Sequence, residues 1–299
     1  MNYMRLYNFG EISITKSLYY LYWVYNRFSS EIRVPILAYH NICEVREKEN
    51  YPPFYVRQSL FEEQMNFLYN KGYSVISLYE FLLFCEGKKQ IPQKPVVLTF
   101  DDGYKNVYRH AYPILNHYRY PATIFLAAGH IGRTEPFPWL KLGHKLDEQQ
   151  VTEWLPLSWR EIYKMNSNLI TFGSHSYYHT PFRALSIDQI EMEFRRSKEY
   201  IEGKTGNQVD LFSFPFSASN LRHKHRTKLL SHMLKQYGYK AACTTRIGIN
   251  KKNADPFAFN RLQINHRDSL STFRAKVNGA YSWVRLPQLI HNWHLRYFY

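Results

Sequence analysis

Cysteine is scarce. Cys43, Cys85 and Cys243 are the only three in 299 residues and stand far apart, so they supply neither a disulfide framework nor a cysteine-based zinc site. Cys85 falls in an apolar helical pattern and reads as a core residue. No apolar run reaches the roughly 20 residues of a membrane span. The N-terminus also lacks the uninterrupted apolar stretch and small-residue cleavage site of a secretory signal, which points to the cytoplasm. Acidic residues are in deficit: 24 Asp and Glu against 39 Lys and Arg leave a formal charge of +15. Such an excess attracts phosphates, nucleic acid or anionic membrane. No nucleic-acid motif accompanies it, and no nucleic-acid partner is expected. The basic residues are scattered; the main cluster, Arg222 to Arg226 with Lys228, reads as a solvated helix or loop. Internal repeats and low-complexity segments are absent.

The chain is long enough for one large domain with a full core, or at most two small ones. A hydrophobic content of 45% fits a globular protein. The 26 tyrosines suit sugar-stacking platforms and amphipathic cores alike. Residues 1–30 form a distinct aromatic segment in which Leu18 to Tyr25 is flanked by Lys16 and Arg27. It suits a bilayer interface, giving peripheral contact with the inner membrane face, but a helix packed on the domain is the competing reading and the preferred one. Residues 31–275 read as the main folded domain and 276–299 as a basic, aromatic tail.

The chain is organised around Val96-Val97-Leu98-Thr99-Phe100-Asp101-Asp102-Gly103-Tyr104. A short apolar run of this kind reads as a buried parallel strand, and Gly103 permits a sharp turn after it. Two adjacent carboxylates there are costly unless neutralised. A bound cation would do this, with one Asp ligating and its neighbour free as a base; a turn or helix cap is the alternative use of the same residues. A second apolar strand, Leu169 to Phe172, ends in Gly173-Ser174-His175-Ser176-Tyr177-Tyr178-His179. Histidines four apart fit one face of a helical turn and a zinc-type metal. With one carboxylate they make an Asp-His-His set that leaves positions open for water or substrate, the mark of a catalytic metal.

Further elements bracket these motifs. Ile36 to His40 is expected as the first strand, Leu60 to Lys71 as a helix capped by Ser59, and Leu78 to Glu86 as a second helix. Tyr108 to Tyr118 is expected as a helix and Ala122 to Ala127 as a strand. Residues 129–157 read as an irregular lid beside the site. Ser158 to Met165 and Ser186 to Gly203 are capped helices. Leu211 to Phe216, Ala241 to Thr244 and Arg261 to Ile264 complete the strands.

The paired motifs resemble those of the polysaccharide deacetylases with a NodB homology domain. Thr99-Phe100-Asp101-Asp102-Gly103-Tyr104 is similar to the first motif and His175-Ser176-Tyr177-Tyr178-His179 to the second. Ala111 to Leu115 and Pro121 to Phe125 match segments that follow the first motif. The likeness runs from about Pro35 to about Phe273. It implies an α/β fold, a distorted (β/α) barrel of about seven strands, with the site at the strand C-terminal ends.

The activity implied is metal-dependent hydrolysis of the N-acetyl group of a sugar in a poly- or oligosaccharide or lipid-linked glycan. Water attacks the acetamide carbonyl with Asp101 as base, while Asp102, His175 and His179 hold the metal, zinc by choice of ligands. The third motif departs from the family, since Phe216 and Ser217 replace Tyr and Gly. Phe216 still offers a backbone N–H to the oxyanion. Two histidines compete as general acid. His266 follows Leu262 to Asn265 and matches many relatives, whereas Tyr39-His40 matches a branch that this chain resembles more closely. His266 runs into Arg267 and Asp268, a polar exit, while the apolar strand before His40 leads to the barrel rim; His40 is therefore assigned. The alternatives are an O-acetyl esterase, a deformylase acting on a lipid-linked sugar, or a non-catalytic carbohydrate-binding protein on the same fold.

Overall fold

The computed structural model describes residues 31–44, 54–140, 148–165, 167–216 and 224–281. The elements begin with β1 (Ile36–Tyr39), β2 (Asn41–Cys43), β3 (Tyr55–Arg57), α1 (Gln58–Asn70), β4 (Ser74–Val75) and α2 (Leu78–Cys85). Next come β5 (Pro95–Phe100), α3 (Tyr112–Tyr118), β6 (Ala122–Leu126), α4 (Glu148–Glu153), α5 (Trp159–Lys164) and β7 (Ile170–Ser174). The chain continues through α6 (Ile187–Thr205), β8 (Leu211–Ser213), α7 (Lys224–Gln236), β9 (Ala241–Ile247), β10 (Phe259–Gln263) and α8 (Leu270–Val277). Seven parallel strands close in the order β1-β10-β9-β8-β7-β6-β5, and β5 pairs back to β1. Short β4 flanks β5, and β2 pairs with β3 in a separate ribbon. This is the expected distorted (β/α) barrel.

Strand alternation divides the core in two. On β5, Val97 joins Ile36, Leu211, Ala241, Cys243 and Phe259 in the inner cluster. Val96, Leu98 and Phe100 pack outward, in the cluster that contains Phe61, Met65 and Leu68 of α1. Helix α2 belongs to the inner cluster through Leu78, Phe81 and Leu82. The Phe81 ring lies 4.8 Å from that of Phe259, the first residue of β10, so α2 closes the barrel's N-terminal end. The same two-residue period then fixes what reaches the opposite end. Val97, Thr99 and Asp101 share a face, as do Phe259 and Arg261, and Ile36, Ala38 and His40. Three inward rows thus deliver a carboxylate, a guanidinium and an imidazole to one rim.

Several expectations shift in detail. Helix α1 starts at Gln58, with Arg57 at its N-cap and no side-chain cap. Pairing of β3 with β2 holds the chain extended up to Arg57, and Ser59 falls inside the first turn. Ser77, Ser158 and Ser186 do form capping boxes, with Glu80, Glu161 and Gln189. The helix expected from Tyr108 opens instead as a π-helical turn, Val107–Ala111, before α3. Residues 129–157 are not irregular throughout: 3-10 turns at Ala128–His130 and Pro138–Leu140 precede α4. Phe137 and Trp154, both fully buried, pack on the Tyr104 ring and tie this segment to the first motif. Cys85 is only half-buried, because α2 ends there, whereas Cys43 and Cys243 are buried. Helix α8 crosses the expected boundary at 275, with Phe273, Val277 and Ala280 buried.

The aromatic stretch of residues 1–30, the tail from 282 and Arg222-His223 lie outside the described residues. Among the described residues no helix is long and apolar enough to cross a membrane.

Gly173 is required by packing inside the barrel. A Cβ there would stand 2.6 Å from Phe125 Cδ1 and 2.9 Å from the Leu211 carbonyl oxygen. The ring is fully buried and the oxygen belongs to the backbone, so neither moves aside cheaply. Gly173→Ala is expected to destabilise the fold by about 1–3 kcal/mol, read as a lowered urea midpoint at unchanged slope; an unchanged midpoint would show the interior to be loosely packed here.

Candidate active site

The strand-to-loop turn after β5 places the two carboxylates. Asp102 has φ 72° and Gly103 φ 86°, so the chain turns sharply at once. Gly103 N–H donates to the Asp101 carbonyl at 2.9 Å, and Ala127 N–H to the Asp102 carbonyl at 3.1 Å. Left-handed backbone is uncommon outside glycine, though Asp is among the residues that tolerate it, and here it interrupts the strand alternation. Asp102 would otherwise follow Phe100 to the outer face; both carboxylates are instead buried at the rim.

Asp101 is claimed by Arg261. The two guanidinium nitrogens meet its two oxygens at 2.7 Å each, and both residues are about 97% buried. Burial opposes the charge on Asp101, but Arg261, with help from His175, outweighs it and holds the carboxyl at about 2. Thr99 and the Thr244 carbonyl accept from the same guanidinium, which fixes its plane.

Asp102 faces the histidines. Its Oδ1 is 3.4 Å from His175 Nε2 and 3.2 Å from His179 Nε2. Burial works against its charge, yet the histidines hold its carboxyl well below the ordinary range. His175 Nδ1 lies 2.7 Å from the Ser213 carbonyl. A carbonyl only accepts, so Nδ1 carries a proton and Nε2 is the ring atom turned to Asp102. Burial lowers the pKa of this ring, but Asp101 and Asp102 outweigh it and raise it. Asp102 Oδ1 is buried without a hydrogen-bond partner. One ligand atom from each of Asp102, His175 and His179 falls within 4.8 Å of the others. A buried carboxylate oxygen and two imidazole nitrogens converging in this way fit a divalent cation.

The two histidines are not on a helix, as their spacing had suggested. Ser176 and His179 have φ 65° and 58°, and the segment is a loop. Ser176 N–H donates to Ser174 Oγ at 3.2 Å and His179 N–H to Ser176 Oγ at 3.1 Å. Buried Glu193 of α6 accepts from Tyr177 and Tyr178 N–H at 2.6 and 3.0 Å. These side chains satisfy the loop's backbone donors where a helix would use its own carbonyls.

His40 joins the group and His266 does not. His40 sits partly exposed at the rim with its Nδ1 buried and unpaired, and its ring stacks on Phe54 at 5.4 Å. Burial lowers its pKa, while the nearby charges of Asp102 and Asp101 pull it back up. His266 stacks on Tyr55 at 5.0 Å, and the charges acting on it are Arg267 and Asp268. Phe216 has φ 55°; its half-exposed ring lies 4.7 Å from that of His179.

Sequence reasoning missed Arg261, Ser213 and Trp139. Arg261 carried a signal, being the lone cation of its strand, at the parity of Phe259. Ser213 acts through its backbone and Trp139 reaches the site from a loop, so neither left one.

The profile of the family described as polysaccharide deacetylase matches residues 88–242, about half of the chain. The YxkH protein of Bacillus subtilis is 27% identical over 250 residues, covering 83% of this chain and 77% of its own length. The poly-beta-1,6-N-acetyl-D-glucosamine N-deacetylase of Escherichia coli is 24% identical over 304 residues, which cover 93% of this chain but only 42% of that protein. Among solved structures, a Streptococcus pyogenes deacetylase, PplD, in complex with acetate, shares the fold with a TM-score of 0.66 at 22% identity, over 83% of this chain and 99% of its own. The match of sequence profile, the closed barrel and the paired carboxylate and histidine motifs agree: the chain belongs to the polysaccharide deacetylase family.

Proposed function

We propose that this protein is a metal-dependent hydrolase that removes the acetyl group from an N-acetylated sugar in a poly- or oligosaccharide or lipid-linked glycan. The observation that carries the reading is the division of the paired carboxylates: Asp101 is bound to Arg261, and Asp102 is turned to two imidazole nitrogens. The name of the Escherichia coli relative supports an N-acetylated glucosamine polymer as substrate class.

Asp102 and the Nε2 atoms of His175 and His179 would hold the metal, and two imidazoles with one carboxylate suit Zn2+. When bound, the ion supplies acidification of water and polarisation of the acetamide carbonyl. Asp101 accepts the proton from the attacking water. Its low pKa keeps it ionised at every working pH, and Arg261 keeps both its oxygens from swinging toward the metal ligands. That pKa makes it a weak base, so orientation rather than basicity is its contribution. His40 delivers a proton to the departing amine; burial lowers its pKa, which makes its imidazolium a ready donor, and the carboxylates of Asp102 and Asp101 offset that lowering only in part. Phe216, in a left-handed turn with its ring 4.7 Å from that of His179, would offer its backbone N–H to the oxyanion. The phenol hydroxyl of the family's Tyr is missing, which removes a substrate contact and leaves the N–H.

Acetate release from N-acetylglucosamine oligomers by zinc-loaded protein tests this directly. Asp101→Asn should keep the metal and lose at least about a hundredfold in kcat, the ordinary scale for a base. His40→Ala should lose a similar factor with metal retained, and His266→Ala should change kcat only a few-fold; a reversed ranking would move the acid to His266. Asp102→Ala and His175→Ala should instead lose zinc, measured by elemental analysis, and full zinc content in both would exclude these ligands. No acetate release by reloaded wild type from any N-acetylated sugar would overturn the reading.

The Arg261 pair makes a separate prediction about stability. Arg261→Met leaves Asp101 buried and uncompensated, and should lower unfolding free energy by about 3–5 kcal/mol near neutral pH. The carboxyl's folded pKa is depressed, so its stabilisation is complete above an unfolded value of about 3.9 and is lost as pH falls through about 2. The difference between variant and wild type in urea should therefore shrink below about pH 4. A difference that grows in acid would contradict the assignment.

A further inference from the structure

The two histidines of the second motif are supported differently. His175 donates its Nδ1–H to the Ser213 carbonyl, the usual second bond of a metal-binding imidazole. His179 Nδ1 is buried and has no hydrogen-bond partner. What holds its ring is packing. The Trp139 indole lies 4.1 Å away between centroids at 30°, and the Phe216 ring 4.7 Å away at 46°.

Trp139 does a second thing. Its Nε1–H donates to the Tyr104 hydroxyl at 3.0 Å. That hydroxyl is buried and within hydrogen-bonding reach of Asn41 and Asp102. Asn41 Oδ1 is already taken by Asn106 Nδ2 at 2.9 Å, which leaves the Asn41 amide N–H to donate to Tyr104. With two donors aimed at its oxygen, the phenol has its one proton free for Asp102. The indole is itself wedged, stacked on Phe137 at 4.6 Å and set edge-on to His130 at 5.2 Å. Phe137 is fully buried.

We propose that Trp139 is a positioning residue for the metal centre, its ring face setting the orientation of His179 and its N–H setting the phenol that holds Asp102. The inference rests on the metal-binding reading above and adds to it that the segment of residues 128–140 is part of the ligand support. Two of the three ligands then depend on one side chain outside the family motifs. An imidazole with no bond at Nδ1 can rotate about its Cβ–Cγ bond, and among the described residues the rings beside it and the Asp102 contact at Nε2 limit that rotation.

The test is the zinc dissociation constant, measured by competition with a chromophoric chelator, together with the melting temperature of each metal-free protein. Trp139→Ala removes both ring and donor and should weaken zinc about 10–100-fold, the range for losing an outer-shell partner. Trp139→Phe restores a ring without the N–H and should recover most of that loss while still binding more weakly than wild type. The ranking wild type, Phe, Ala should appear in zinc affinity and not in the metal-free melting temperatures of Phe and wild type. Should the alanine variant fail to fold, the Phe variant decides alone: zinc affinity equal to wild type overturns the proposal, and a loss of several-fold supports it. Wild type binding zinc while both variants match it within twofold would overturn the role of Trp139 and leave the metal reading standing. Wild type binding no zinc would overturn both.

Discussion

Two neighbouring carboxylates buried at the end of one strand must each find positive charge, and most of the site follows from how that need is met. The strand period carries Asp101 inward, where Arg261 meets it from β10; the register sets the Arg261 backbone level with Val97, and its long side chain reaches up to the carboxylate. The left-handed turn at Asp102 carries the second carboxylate away from the first and toward the histidine loop. Without that turn, alternation would leave Asp102 on the outer face among the helices, next to Phe100. Like charges at adjacent positions are thus separated by backbone geometry and neutralised from opposite sides. The proposed distinction between a base that stays off the metal and a ligand that binds it rests on these two pairings.

The geometry carries strain. Asp102, Ser176, His179 and Phe216 all have positive φ, and none is glycine. Such positions each cost on the order of 1–3 kcal/mol and persist only where surrounding structure over-determines them. Here the determinants are visible: Ser174 and Ser176 hydroxyls, Glu193 from α6, and the carbonyl of Ser213 all hold the histidine loop. The barrel supplies the rigidity. Gly173, directly before Ser174 and His175, allows the Phe125 ring to fill the interior just below the site, with Arg261 stacked against that ring at 6.0 Å.

The barrel, the carboxylate pair and the histidines were legible because they rest on short-range patterns: apolar strands ending in polar residues, and motifs of fixed spacing. His40 was legible for the same reason, since an apolar strand of known parity ends on it. What was not legible depends on geometry that spacing underdetermines. Histidines four apart suit a helical turn, but nothing in Ser176 announces a left-handed residue, so the loop could not be told from a helix. Ser59 looks like a cap until the β2–β3 pairing moves the helix start to Gln58. Arg261 was read as the start of a strand rather than as an inward side chain, because its partner lies 160 residues away. Residues 129–157 had composition without periodicity, and their buried aromatic anchors on Tyr104 became visible only in three dimensions.

The division of labour between Asp101 and Asp102 is the central claim, and anomalous X-ray diffraction from crystals of the zinc-loaded protein, collected at the zinc absorption edge, tests it most directly. The account predicts one anomalous peak at about 2.0–2.2 Å from a carboxylate oxygen of Asp102 and from Nε2 of His175 and His179, ordinary zinc–ligand distances, with the Asp101–Arg261 pair intact. A peak coordinated by Asp101, or a map in which Arg261 has left Asp101 to make room for the ion, would contradict it.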